Sequence, residues 1–181
     1  MSQVPGRLHD DFFRRDALIV APELLGKILC CRGAGDVVRR GRITECEVYR
    51  GEDDTACHAR FGRTKRSETL YMAGGHAYVY LCYGIHHLMN VVTGPEDMPQ
   101  AVLLRALSSA DASTHINMTG PGRLTKTLGI TMADNRLDLR MSDRLWLEDD
   151  DRTPTEIHAS PRIGIGYAAP DDQTLPWRFT T

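Results

Sequence analysis

Glu45 and Glu47 stand two residues apart in the run Ile43-Thr44-Glu45-Cys46-Glu47-Val48-Tyr49. On a strand, alternation puts them on one face with Ile43 and Tyr49 and leaves Thr44, Cys46 and Val48 on the other. Their side chains then lie about 7 Å apart. Two acids so placed either face water along an exposed edge or serve a site, and a carboxylate that activates water suits hydrolysis of a glycosidic bond. Further on, Arg105 interrupts the apolar run Ala101-Val102-Leu103-Leu104-Arg105-Ala106-Leu107. An arginine inside a buried strand needs an acid or a bound anion, and Glu45 and Glu47 are equally suited to supply it.

Aromatic and basic residues surround this pair in sequence. His76, Tyr78 and Tyr80 share one face of a strand over His76–Tyr83, where two tyrosines are ordinarily cross-strand packing partners. Tyr83-Gly84 breaks that strand before Ile85–Val92, which predicts a hairpin with a tyrosine at its tip; packing does not explain a tyrosine at a turn. From His58 to Arg66 the chain carries Arg60, Arg63, Lys65 and Arg66 and no acid, whereas Glu148–Asp151 is entirely acidic. The ordinary reading of both runs is solvated surface. Gly120-Pro121-Gly122 with Arg123 and Lys126 is either a phosphate seat or simply a helix start. Asp53, Asp54, His58, His76, His86 and His87 lack metal-ligand spacing, so no metal is expected. Cys57 and His58 are neighbours that point apart on an extended chain, and the chain has no nucleophile elbow, P-loop or dinucleotide fingerprint. What remains is a carboxylate and an arginine beside aromatic faces on which bases stack, a basic loop, and a tyrosine suited to wedge into a base stack. Together these describe an enzyme that takes a base out of a duplex and cleaves it off.

The elements that must hold these groups follow from patterning. Phe12-Phe13 anchors the N-terminal segment. Ala21–Gly26 predicts a short helix with Pro22 at its first position and Gly26 at its end. Ile28–Cys31 is a strand, Gly33–Asp36 a turn, and the next strand runs through Val37-Val38 or, after Gly41, through Ile43–Tyr49, as an antiparallel hairpin. Gly120 and Gly129 bracket a helix. Leu145–Leu147 is a strand, Arg162–Gly166 is a strand whose glycines allow close backbone approach, and Pro176–Phe179 closes the chain. With 181 residues, no repeat and no linker, one domain over residues 1–181 is expected. No apolar run nears the roughly 20 residues of a membrane span, there is no secretory signal, and five cysteines without metal spacing indicate reduced thiols in a cytoplasmic protein. The net charge of −2 counts mildly against nucleic-acid binding, although charge distribution matters more than the sum.

Several stretches in order carry a resemblance to a known family. RRDALIVAPELLGKILCC, GRITECEVYRGEDDTACH, HAYVYLCYGIHHLMNVVTG, AVLLRAL, GPGRLTKTLGI, RIGIG and PWRF resemble the alkyladenine (3-methyladenine or methylpurine) DNA glycosylases. The resemblance spans most of the chain. It implies Glu47, rather than Glu45, as the general base, with Arg105 helping to hold the attacking water. It implies Tyr49, His58 and Tyr80, with Tyr78 beside them, as the pocket for a flipped base. Asn90 would discriminate against the exocyclic amine of guanine, and Tyr83 would fill the gap left by the flipped nucleotide. Arg63, Lys65, Arg66 and Arg123 are the expected backbone contacts. The implied fold is mixed α/β (α+β): a curved, mainly antiparallel, open-barrel-like sheet with short peripheral helices and a protruding β-hairpin. The implied partner is double-stranded DNA containing damaged purines, with no cofactor, a monomeric enzyme and no lyase activity. Departures from the family pattern are Cys46 and Val48 around the acid, Ala73-Gly74-Gly75 in place of a Pro-Gly turn, and the low net charge. The rival expectations are a non-catalytic binder of damaged DNA and a hydrolase of free nucleosides.

Overall fold

The computed structural model describes residues 6–110 and 117–181. A two-residue strand, β1 (Gly6–Arg7), precedes one helical turn, α1 (Asp10–Phe13), and Phe13 is fully buried as an anchor should be. Helix α2 (Ala17–Leu24) starts at Ala17, not at Ala21. Asp16 caps it by accepting a hydrogen bond from the Leu18 N–H at 3.0 Å, and this cap sets the start. Pro22 therefore sits inside the helix near its end, where it removes one backbone bond and helps to terminate it. Gly26 follows with φ of 88° and donates its N–H to the Ile43 carbonyl.

The remaining elements are β2 (Ile28–Arg32), β3 (Val38–Arg50), β4 (Ala77–Cys82), β5 (His86–Val92), β6 (Gln100–Ser109), β7 (Met118–Thr119), α3 (Pro121–Leu128), β8 (Leu145–Asp149), β9 (His158–Ser160), α4 (Pro170–Thr174) and β10 (Arg178–Thr180). The strands form one sheet in the order β1-β8-β2-β3-β6-β5-β4, with β7 on β6, β10 on β3, and β9 on β10. All described pairings are antiparallel and the sheet does not close. The mainly antiparallel α+β expectation therefore holds at that level. Strand β3 is its spine. The two alternatives left open around Gly41 are one continuous strand, and Gly41 admits β6 closely, since a Cβ there would lie 2.7 Å from Leu107 Cδ1.

Strict alternation fails within β3. Ile43 does not share a face with Glu45 and Glu47; it is fully buried in the main core with Cys46 and Val48. The pairing with β6 shifts register on both sides of Glu45. Strand β6 switches face at the same place, because Leu104 and Leu107 join the same core although an odd number of residues separates them. Bulges of this kind re-aim side chains. Here the switch leaves Glu45, Glu47 and Arg105 together on the side away from the core.

Two further expectations are corrected. Arg162–Gly166 is an irregular loop rather than a strand; the strand is β9, just before it. The Arg162 side chain faces inward and binds Asp54 and the Val48 carbonyl, and Gly164 has φ of 78°, so the backbone leaves the extended path. The acidic run is not plain solvated surface. Glu148 is buried and accepts from the Trp146 indole, Asp149 pairs with Lys27, and Asp150 takes a two-pronged contact from Arg42. These acids hold β8 to β2 and β3.

Gly74 lies where the family resemblance would place a Pro-Gly turn. Its N–H bonds the Gly94 carbonyl, and a Cβ there would lie 2.1 Å from the Phe13 carbonyl oxygen. That obstacle is backbone and cannot rotate away, so Gly74→Ala is expected to lower stability by about 3 kcal/mol. Urea denaturation measures it, and a loss below about 1 kcal/mol would contradict the packing described.

Candidate active site

Strand β3 leads directly into the site. Glu47 is completely buried, with 0% of its surface exposed, and every group facing its carboxylate is a donor. Oε1 accepts from the Ile163 N–H at 2.7 Å. Oε2 accepts from the Tyr49 hydroxyl at 2.9 Å and from Arg105 Nη1 at 3.2 Å. Arg105 reaches across to Glu45 as well, its Nε donating to Oε1 at 3.2 Å. Glu45 in turn accepts from Arg178 Nε at 2.6 Å, delivered by β10, which pairs Arg178 opposite Glu47. The question left open by spacing resolves geometrically: both acids are partners of Arg105, and Glu47 is the more enclosed.

Below Glu47 a second charge pair fixes the loops. Asp54 and Arg162 are joined by two hydrogen bonds, Arg162 Nη1 to Oδ2 at 2.6 Å and Nη2 to Oδ1 at 2.9 Å. Arg162 lies 4.9 Å from the Tyr49 ring centroid and 5.1 Å from that of Trp177. Its position dictates that of the next residue, whose N–H binds Glu47. Patterning missed this arrangement because backbone donors leave no mark in a sequence. Its traces in the sequence are an acid in a loop and an arginine that opens an apparent strand.

The aromatic residues converge beside the acid. His58 Nδ1 and the Tyr78 hydroxyl are 2.8 Å apart. His58 meets the Tyr80 ring edge-on at 4.6 Å, and Tyr78 and Tyr80 lie 5.4 Å apart at 33°. Asn90, also buried, donates to the Tyr78 carbonyl at 3.0 Å from β5. Tyr49, Tyr78 and Tyr80 all have pKa values raised by burial, for Tyr49 reinforced by the Glu47 charge. The Tyr49 hydroxyl therefore stays protonated and donates to Glu47. His58 is pushed down from 6.5 to about 4 by burial, helped by the positive charges of Arg66 and Arg60, so it is neutral near pH 7.

Tyr49, His58, Tyr78, Tyr80 and Asn90, together with Cys57 and Tyr167, line a cavity of only about 40 Å³. This space is small beside the groove it opens on. The cavity abuts an open groove of about 640 Å³ whose lining includes Arg66, Tyr83, Arg105 and Ile163. Tyr83 sits in the turn of the β4–β5 hairpin, 89% exposed. Ile85 N–H closes that turn on the Cys82 carbonyl, and Tyr83 and Gly84 have φ of 50° and 68°, the left-handed values a tight hairpin turn requires. Among the basic residues, Arg66 lies over Tyr80 at the groove. Arg63 is turned to Asp97 and the Tyr71 ring. Lys65 is exposed in the loop between β3 and β4, and Arg123 is exposed on α3. Tyr167 and Arg178, which patterning did not single out, both belong to the site.

A family model described as methylpurine-DNA glycosylase matches residues 11–181. The chain belongs to the methylpurine-DNA glycosylase family. It is 40% identical over 182 residues to a Chlamydia pneumoniae protein named "Putative 3-methyladenine DNA glycosylase", covering 93% of this chain and 91% of the relative. Proteins of the same name from Anaeromyxobacter sp. (strain Fw109-5) and Nitrosococcus oceani are 45% and 42% identical, with 96% and 93% of this chain and 88% and 86% of theirs covered. The family match runs through β3, β6, the hairpin and β10, so all the elements that build this site lie inside it.

The depressed pKa of His58 has a consequence for this family member's pH response. The folded state holds His58 neutral while the unfolded chain protonates it near 6.5. Its contribution is therefore complete above that value and is lost as pH falls toward about 4. Stability by urea denaturation is expected to drop between pH 7 and pH 5, and His58→Gln should show a smaller drop. A His58 resonance, assigned by its loss in His58→Gln, that titrates near 6.5 in the folded protein would contradict this.

Proposed function

We propose that this protein hydrolyses the N-glycosidic bond of alkylated or deaminated purines in duplex DNA, of the 3-methyladenine, 7-methylguanine and hypoxanthine type, and leaves an abasic site. The observation that carries this reading is the buried Glu47 carboxylate, oriented by three donors, directly behind an aromatic pocket that opens on a groove rimmed by an exposed tyrosine.

In this reading the damaged nucleotide swings from the duplex into the space bounded by Tyr49, His58 and Tyr80. Alkylation at N3 or N7 makes the purine cationic. Electron-rich ring faces favour a cation over a neutral base, by about 0.5–2 kcal/mol per good contact. Asn90 screens against the exocyclic amine of guanine, and Tyr83 occupies the gap in the stack. Arg105 and Glu47 hold the water. As the bond from C1′ to the purine nitrogen breaks, its electron pair leaves with the base. The water oxygen bonds to C1′ and its proton passes to Glu47, whose charge also steadies the oxocarbenium-like sugar. Arg66, Lys65, Arg63 and Arg123 contact phosphates, Arg63 after exchanging Asp97 for a phosphate. Among the described residues, none that lines the cavity or the groove is a lysine, which supports simple hydrolysis without a Schiff base or strand cleavage. The enzyme acts as a monomer.

Excision from duplexes carrying 3-methyladenine or hypoxanthine tests this reading. Glu47→Gln is expected to retain damaged-duplex binding and to lose excision by about 10²–10⁴-fold; an active Glu47→Gln enzyme would falsify the role given to Glu47. Tight binding by the wild type without release of any base favours the non-catalytic reading. Tyr83→Ser is expected to weaken binding of lesion-containing duplex roughly tenfold while Glu47 and its donors stay in place. Unchanged binding and excision would remove Tyr83 from the wedge role.

A further inference from the structure

Resting on the proposed base-excision reading, the narrow pocket raises a physical question: which of the side chains between it and the groove is free to move when a base enters. Four residues line both the small cavity and the open groove, namely Tyr49, His58, Tyr80 and Tyr167. They are the partition between the two spaces. Three of them are held from behind. Tyr49 is locked by its hydroxyl on Glu47 and by Arg162 against its ring. His58 is fixed by Tyr78 at 2.8 Å, and Tyr80 is wedged between the His58 and Tyr78 rings.

Tyr167 differs from these. It is 59% exposed, and its hydroxyl donates to the Ala56 carbonyl at 3.0 Å across the mouth of the cavity. Its ring faces the Arg60 guanidinium at 5.2 Å. The backbone that carries it is anchored on both sides. Ile165 and Ala168 are buried against Ala56, Ala169 N–H donates to Thr55 Oγ1 at 2.8 Å, and Thr55 N–H donates to Asp172 at 2.9 Å. Opening therefore needs only rotation of one exposed side chain, with loss of its hydrogen bond to the Ala56 carbonyl and of its contact with Arg60. Moving any of the other three disturbs the carboxylate or the stack.

We propose that Tyr167 is the fourth wall and the gate of the base pocket: its ring swings off the Ala56 carbonyl to admit the base, closes over it, and limits the size of base that the enzyme accepts. Burial raises the pKa of the Tyr167 phenol, so the closed ring presents a face and not a charge to the base. The restriction it imposes is one of shape.

The test compares wild type, Tyr167→Ala and Tyr167→Phe on duplexes carrying hypoxanthine or 1,N6-ethenoadenine, a purine widened by a third fused ring. Tyr167→Ala is expected to raise the ratio of ethenoadenine to hypoxanthine excision about tenfold or more, and Tyr167→Phe, which keeps the ring and loses only the tether, to keep the wild-type ratio. A ratio that does not change in Tyr167→Ala, or that changes equally in both variants, overturns the gate. A second arm needs no catalysis: the fluorescent free base 1,N6-ethenoadenine is titrated into the same proteins, and binding to Tyr167→Ala is expected to be about tenfold tighter than to wild type. Equal binding overturns the proposal. If the wild type excises no lesion, the base-excision reading falls and the free-base arm alone judges the gate. Thermal melting checks that both variants keep the fold, which the exposure of Tyr167 favours.

Discussion

The architecture of the site depends on one arginine placed between two acids. Arg105 donates to Glu45 with one nitrogen and to Glu47 with another, and it retains little contact with solvent. Two carboxylates at neighbouring positions of one strand repel each other at close range and cannot both be enclosed without a cation. The face switch shared by β3 and β6 brings that cation from the partner strand at the right level. Without it Arg105 would meet the acids only if they left the strand. Arg178 from β10 supplies the second positive charge, so the cluster holds two acids and two guanidinium groups. Breaking such a cluster by removing one member typically costs 3–5 kcal/mol, and orientation is lost as well as charge.

The second constraint is the direction of hydrogen bonding around the aromatic residues. Burial keeps the phenols protonated, so Tyr49 must donate to Glu47 and cannot compete with it for a proton. His58, kept neutral by burial and by neighbouring arginines, adds no cation to the pocket, so the electron-rich ring faces there keep their attraction for a positive charge. The arginines that depress His58 are Arg66 and Arg60 of the basic loop. The same loop thus shapes the electrostatics of the pocket and presents positive charge to the groove.

How much of this could be read in advance differs between elements. The hairpin with Tyr83 at its turn, the helix between Gly120 and Gly129, and the apolar strand interrupted by Arg105 were legible. Each carries its cause in local residues: left-handed turn positions, cap glycines, or a charge in an apolar run. The switch of face at Glu45 was not, because bulges depend on the partner strand and leave the alternation of β3 looking regular. Helix α2 begins earlier than Pro22 suggests, because the Asp16 cap decides the boundary and Pro22 falls near the end. The loop of Arg162 was mistaken for a strand. Its apolar alternation is genuine, but the inward arginine has a partner 108 residues away, which no local pattern registers. Glu47, Arg105, Tyr49, His58, Tyr78, Tyr80 and Asn90, named from family resemblance, lie together in space, whereas Arg63, Lys65 and Arg123 line neither the cavity nor the groove.

The long reach of these contacts has a bearing on how the protein comes into being. Glu45 meets Arg178 across 133 residues and Glu47 meets the Ile163 N–H across 116. During synthesis β3, β6 and the hairpin emerge well before either donor, so a nascent chain with most of its sheet formed has the two carboxylates sharing a single guanidinium. Contacts of such sequence separation close late and slowly. The aromatic pocket can pack early from local strands, whereas the acid behind it is not oriented until β10 docks. A partly made or partly folded chain therefore holds its aromatic cluster before its acids have their full set of donors, and the complete site becomes a property of the completed fold alone.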